Sequence, residues 1–384
     1  MIKALRNFLV EHESEMFELL ESLVRINSYS GNKAGVDKVV DVLDATMKDM
    51  GFSTCRHAQP ETGDNLVAWN QARSDNPGAL LIGHMDTVFP PEMGFDRFDR
   101  EGNEIHGPGT YDMKGGIVAG IFALKALDAA GLLEGRPVAC LFNSDEEIGS
   151  PNSRELVMEE ARKSAFCFVM EGSGLNGEIV TGRKGRIVFN LEVQGKAAHA
   201  GHCGFPKPSA ILEMAHQIVA MEALNDPEAG TSLNVGLTEG GVGPNTVSAS
   251  AKARVETRFV NKENGDKVWA AIETIAAAPK TEGTSCKLEI ITSRPPMVTN
   301  DSILALHDLV AEAGADLGLP VKGTFRGGGS DANIVAQVGI PVLDGMGPAG
   351  GKLHTQDEYL AADSMVKRTL LAAVSIHRAL DKYQ

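Results

Sequence analysis

The chain has 384 residues, more than one hydrophobic core usually sustains, so two domains are expected. Its formal charge of -15 and pI near 5.2 argue against nucleic acid or an anionic membrane as the main partner and favour a small-molecule substrate. The five cysteines (Cys55, Cys140, Cys167, Cys203, Cys286) are odd in number and never form a C-x-x-C pair, so any metal is left to histidines and carboxylates.

Residues 3–24 and 34–51 carry apolar residues at helical spacing (Leu5, Phe8, Leu9; Val36, Val39, Val40, Leu43, Met47), and the second run ends at Gly51. Glu11, Glu13 and Glu15 fall where a secretory leader would need an unbroken apolar stretch. No later run approaches membrane-spanning length, so a cytoplasmic protein is expected. Short apolar runs at 65–69, 79–83, 138–142 and 166–170 read as buried strands, with helical patterns at 116–130 and 152–163 between some of them. That alternation predicts a sheet covered by helices on both faces.

Near Arg183 the pattern changes. Residues 186–195 alternate strictly, a helix is expected at 208–224, strands within 232–241 and 246–260, a helix at 264–277 and a strand at 287–292. After Ser293 a helix at 301–316, a strand within 339–345 and a closing helix at 362–381 restore the first pattern. The expected fold is α/β. A larger domain with a mixed sheet flanked by helices comprises 1–182 and 294–384. An inserted α+β domain at 183–293 has a four-stranded antiparallel sheet and two helices.

The strand ends carry the residue types of a metal site. In GHMDTV (83–88), His84 and Asp86 follow the strand at 79–83, at the carboxyl end where α/β proteins place their sites. Residues two apart in an extended segment point the same way, so His84 can ligate a metal while Asp86 receives its other N–H. A solvated turn is the ordinary alternative. GPGTYDMKGG (107–116) sets Asp112 in a glycine-rich turn before a helix. A phosphate loop or capping turn would look similar, but no Walker lysine-serine pair or complete G-x-G-x-x-G follows a strand here.

NSDEEIGS (143–150) places Asp145, Glu146 and Glu147 directly after an apolar strand, which is costly for like charges unless something positive lies among them. Glu171 ends a further apolar strand, and His354 stands in GKLHTQDEYL (351–360), ahead of the last helix. Each of these has a structural explanation alone. Together, two histidines and several carboxylates form the nitrogen and oxygen set that suits zinc, cobalt or manganese. The chain has no G-x-S-x-G elbow and no H-E-x-x-H helix.

With these motifs in this order, the chain resembles the dinuclear zinc family of glutamate carboxypeptidases, aminoacylases, acetylornithine deacetylases and succinyl-diaminopimelate desuccinylases, essentially from end to end. GGVGPNTVSASAKARVETRF, SRPP and RGGGSDAN are most similar to the carboxypeptidase G type. The resemblance implies two Zn2+ per subunit, with Co2+ or Mn2+ as substitutes: one held by His84 and Glu171, the other by Glu147 and His354, and Asp112 bridging both. It implies Glu146 as general base, Asp86 as the partner of His84, and a cis peptide after Asp112. It further implies a homodimer through the inserted domain, with His199 reaching the other subunit's active site. Asn245, Arg258 and Arg294 match the residues that grip the free carboxylate of the leaving amino acid, a task suited to the planar arginine fork. His202 and Cys203 follow His199 but lack a fourth ligand and read as a loop.

Two positions depart from the family pattern: Gly172 stands where many relatives carry proline, and Tyr111 where the carboxypeptidase G type carries alanine. Both bear on substrate preference more than on the metal site. The expected activity is zinc-dependent hydrolysis of an amide bond next to a C-terminal carboxylate, in a small peptide or N-acyl amino acid. An N-acyl-amino-acid deacylase of the acetylornithine deacetylase or succinyl-diaminopimelate desuccinylase type is the alternative. A non-catalytic protein that binds amino-acid derivatives would be expected to lose Glu146 or a ligand, and none is missing.

Overall fold

The strand Gly78–His84 is buried along its whole length, which requires cover on both faces, and it lies inside a six-stranded sheet. The computed structural model describes residues 1–70 and 77–383. The strand order in this sheet is Ser53–His57, Asn65–Trp69, Val138–Asn143, Gly78–His84, Ser164–Val169, Val342–Leu343. The first two pairings are antiparallel and the other three parallel, so the sheet is mixed, as expected.

Helix Gly115–Ala129 is apolar on nearly every side and almost wholly buried, the mark of a helix enclosed by other elements. It packs on the sheet and on helices Ile2–Glu11, Glu13–Val24 and Ala362–Tyr383. A Cβ at Gly116 would stand 1.7 Å from the Met170 carbonyl oxygen, so only glycine lets the start of this helix approach the end of strand Ser164–Val169. That close approach puts the segments on either side, with Asp112 and Glu171, next to each other.

The chain divides into two compact units. One contains Met1–Gly182, Thr299–Phe325 and Ser330–Gln384, and the other Arg183–Val298 with Arg326–Gly329. The second unit holds a four-stranded antiparallel sheet in the order Ser232–Gly240, Ser250–Phe259, Gly185–Gln194, Ser285–Arg294. Alternation in Gly185–Gln194 and Ser250–Phe259 turns Phe189, Leu191, Val193, Ala253 and Val255 to one face. Helices Ala210–Glu222 and Lys262–Ala277 close that face, contributing Met214, Met221, Val268 and Ile272. Both helices are capped by a side chain: Ser209 Oγ accepts from Leu212 N–H and Asn261 Oδ1 from Asn264 N–H.

Several details differ from the sequence expectations. The first helical run breaks at His12 into Ile2–Glu11 and Glu13–Val24. The strand within 339–345 shrinks to Val342–Leu343. Strands at Ser53–His57, Glu178–Arg183 and Lys322–Arg326, and a small sheet of four short strands between 99 and 361, were not legible. Such strands are brief, polar or at edges, and draw their stability from pairing rather than from an apolar pattern of their own. Among the described residues, no helix is long and apolar enough to cross a membrane.

Candidate metal centre

Parallel pairing aligns three strand ends, because His84 is in register with Asn143 and Ile82 with Val169. The segments that follow therefore deliver His84 and Asp86, the turn carrying Glu146 and Glu147, and Glu171 to one edge of the sheet. Asp112 comes from the turn ahead of helix Gly115–Ala129, where the Asp112–Met113 peptide is cis, as the resemblance implies. His354 comes from a turn whose backbone is left-handed at His354 itself, with φ 62. A non-glycine residue in that region costs energy, and such positions concentrate at functional sites.

Asp112 lies between the two histidines. Its Oδ1 is 3.1 Å from His84 Nε2 and its Oδ2 is 3.2 Å from His354 Nε2. Each histidine also faces a second carboxylate: Glu171 Oε1 is 3.6 Å from His84 Nε2, and Glu147 Oε2 is 3.3 Å from His354 Nε2. All five expected ligands are brought together, as two half-sites that share one carboxylate. Ligand atoms of His84, Asp112 and Glu147 also fall within 4.8 Å of one another, so the half-sites are contiguous.

The electrostatics follow from packing three acids into a buried space. Burial, and then the charge of Asp112, push the carboxyls of Glu147 and Glu171 up to about 8. Burial also acts to raise Asp112, but hydrogen bonds from His354 and His84 outweigh it and hold Asp112 well below the usual carboxylate range. Burial alone would lower His84; Asp112, Asp86 and Glu171 reverse this and raise it well above the ordinary histidine value. His354 is raised to about 10 by Asp112 and Glu147. The cluster thus retains protons where positive charge is needed.

Surrounding groups hold the ligands in place. His84 Nδ1 lies 3.0 Å from the Asp86 main-chain oxygen and 3.5 Å from its carboxylate Oδ1, so the expected side-chain partner is mainly a backbone one. The Asp86 carboxylate has other donors: Glu146 N–H and Glu147 N–H, each at 3.2 Å, and Ser30 Oγ at 2.7 Å. Asp86 therefore links the His84 strand to the turn bearing the candidate base. Buried Glu358 accepts from Tyr111 N–H at 2.9 Å and Asp112 N–H at 3.1 Å, clamping the backbone of the shared carboxylate. Ser30 and Glu358 were missed in the sequence. Glu358 lies in the quoted HTQDEY motif, whereas nothing local marks Ser30.

The remaining expected residues belong to the second unit. His199 pairs with Thr246 between two short strands, and Ala200 N–H donates to Asn245 O at 2.9 Å, so His199 and Asn245 are neighbours. Arg258 and Arg294 sit in register with Arg186 from either side, forming a row of three arginines across the sheet. Arg258 Nε donates to Glu256 at 2.6 Å and its Nη1 to the Gly327 carbonyl at 2.7 Å. Arg186 was not singled out in the sequence; only the strand register reveals it.

The chain belongs to peptidase family M20/M25/M40, whose model matches residues 80–377. It is a hydrolytic enzyme of a metal-dependent family that acts on peptide amide bonds. It is 28% identical to "Carboxypeptidase G2" of Pseudomonas sp. (strain RS-16) over 372 residues, covering 94% of this chain and 89% of that protein. Two solved structures share the fold. Aminopeptidase PepT from Bacillus cereus superposes with a TM-score of 0.79 at 23% identity, covering 95% of this chain and 98% of its own. The M20 family metallo-carboxypeptidase Sso-CP2 from Sulfolobus solfataricus superposes with a TM-score of 0.78 at 18% identity, covering 94% and 98%.

The proton-rich cluster has a measurable consequence. A divalent ion binds the deprotonated donors and must displace the protons held by Glu147, Glu171 and the two histidines. Fewer remain to be displaced as pH rises, so metal affinity of the metal-free protein is expected to climb between pH 6 and about 8, where the two glutamates ionise. Calorimetric titrations in buffers of different ionisation enthalpy should register proton release on binding. Affinity independent of pH over this range would contradict the assignment.

Proposed function

We propose that this chain is a zinc-dependent carboxypeptidase, similar in specificity to the glutamate-releasing type, that cuts an amide bond next to a free C-terminal carboxylate. The observation that carries this reading is the shared Asp112 carboxylate, with one histidine at each of its oxygens and a glutamate facing each histidine. Two histidines and three carboxylates match the donor preference of zinc, with cobalt or manganese as substitutes. His84 and Glu171 would hold one ion and His354 and Glu147 the other, with Asp112 available to both. The bound pair of ions supplies Lewis acidity toward a carbonyl oxygen and eases ionisation of the attacking water.

Glu146 is the general base. Its backbone amide is tethered to Asp86, which ties the base to the His84 strand end. It takes a proton from the attacking water and passes it to the departing nitrogen, because an amine anion is a very poor leaving group. Asn245, Arg258 and Arg294 bind the substrate carboxylate. The register row through Arg186 supports this role, since it concentrates the planar guanidinium groups that pair with carboxylates.

The second unit, inserted between two parts of the catalytic domain, mediates a homodimer. Supporting this are the edge strand Ser232–Gly240, on which Leu237 is 64% exposed, and helix Ala210–Glu222, on which Val219 is 73% exposed. His199 of the partner subunit donates to the oxygen on which negative charge grows, an interaction typically contributing about 3–4 kcal/mol. The substrate is a small peptide or an N-acyl amino acid. A cytoplasmic location agrees with five cysteines that are all free.

Glu146→Gln is expected to retain its metal, checked by elemental analysis, while kcat falls by about two to four orders of magnitude. A comparably active variant would remove Glu146 from this role. Arg258→Ala is expected to raise KM for substrates with a free α-carboxylate by roughly tenfold to a hundredfold, with little effect on C-terminal amides. Equal effects on both substrate sets would sink the carboxylate assignment, and the same panel, extended to N-acyl amino acids, separates peptidase from deacylase. Mixed dimers of His199→Ala and Glu146→Gln chains are expected to recover part of the activity that each homodimer lacks. The absence of recovery would rule out sharing across subunits.

A further inference from the structure

The two departures noted in the sequence, at Tyr111 and Gly172, lie 61 positions apart and are in contact in the fold. A Cβ built on Gly172 would stand 2.0 Å from Tyr111 Cε2 and 2.4 Å from its Cζ, and its three nearest neighbours all belong to that ring. A Cβ on Gly350 would stand 2.6 Å from Tyr111 Cδ2. The ring therefore fills a slot that exists because neither flanking residue has a side chain. The slot is closed at its end by the Tyr111 hydroxyl, which donates to the Ser173 carbonyl at 2.9 Å. Tyr111 is buried, and Glu358 holds its backbone amide.

Each wall of the slot adjoins a candidate ligand. Tyr111 precedes Asp112, Gly172 follows Glu171, and Gly350 lies four residues before His354 on the strand Gly350–Gly351. We propose that Tyr111 is a positioning residue: its ring, seated between Gly172 and Gly350, locks the three segments that carry Asp112, Glu171 and His354 at the spacing that both half-sites need. The proposal rests on the metal-centre reading above. Close-packed interiors transmit such constraints, because a ring in a fitted slot leaves its walls no room to approach or slide. The tyrosine occupies the space that a side chain at Gly172 would take.

The test is a mutant cycle read by Co2+ affinity and the Co2+ absorption spectrum, with thermal unfolding as the control for folding. Tyr111→Ala is expected to bind Co2+ about tenfold or more weakly, the size of effect usual for groups that orient ligands, and to show an altered spectrum at a temperature where it is fully folded. Tyr111→Phe keeps the ring and is expected to restore most of the affinity. Gly172→Ala is expected to be severely impaired in metal binding or folding in the native background. Added to Tyr111→Ala, it should cause little further loss, because the three atoms nearest its Cβ all belong to the ring that has been removed. Gly350→Ala should not be rescued in this way, since its Cβ would also meet the Tyr359 carbonyl oxygen at 2.2 Å. Native Co2+ affinity and spectrum in Tyr111→Ala, or additive losses for Tyr111 and Gly172, would overturn the positioning role while leaving the metal centre standing. Failure of the unaltered protein to bind Co2+ would overturn both.

Discussion

The structure of the first unit turns on one carboxylate with a histidine at each oxygen. His84 and His354 approach the two oxygens of Asp112 at 3.1 and 3.2 Å and hold its carboxyl well below the usual carboxylate range against the effect of burial. The two glutamates behind those histidines are then forced toward their protonated forms by burial and by the charge of Asp112. Three acids in one buried space are unfavourable without compensating positive charge, and a binding site for divalent ions is the arrangement in which that cost becomes affinity. The ligand cluster and its electrostatic strain have a single origin.

Such a cluster needs a frame that does not yield, and here much of the frame is backbone amide. Asp86 receives the amides of Glu146 and Glu147, and Glu358 those of Tyr111 and Asp112. Asp145 receives Asn152 N–H at 2.6 Å and Ser153 N–H at 3.1 Å, fixing the far side of the Glu146 turn. Buried carboxylates that accept several N–H bonds rigidify loops without adding another cation to the site. Left-handed backbone at Ser150 and His354 marks where these loops are bent against local preference.

The second unit uses different physics. Its sheet is an alternating structure with one face closed by two helices, so its other face is free to carry polar side chains. On that unit the cross-strand register collects Arg258, Arg186 and Arg294 into a row and brings His199 beside Asn245. Two of these arginines face Glu256, Arg258 at 2.6 Å and Arg186 at 3.7 Å, whereas the acidic cluster of the first unit suits cations.

Local pattern was enough to reveal much of this molecule. Apolar runs long enough to be buried on both faces marked the central strands, strict alternation marked the sheet of the second unit, and the isolated polar residues at strand ends marked the candidate ligands, because burial and periodicity are written into neighbouring residues. The break at His12 and the short polar strands escaped, since their stability comes from partners elsewhere in the chain. Tertiary structure alone decided that Asp86 serves mainly the Glu146 turn, that Ser30 and Glu358 belong to the support of the site, that Arg186 joins the arginine row, and that Tyr111 occupies the space beside Gly172. Each depends on segments far apart in sequence meeting within a few ångströms, and no property of either segment alone carries that information.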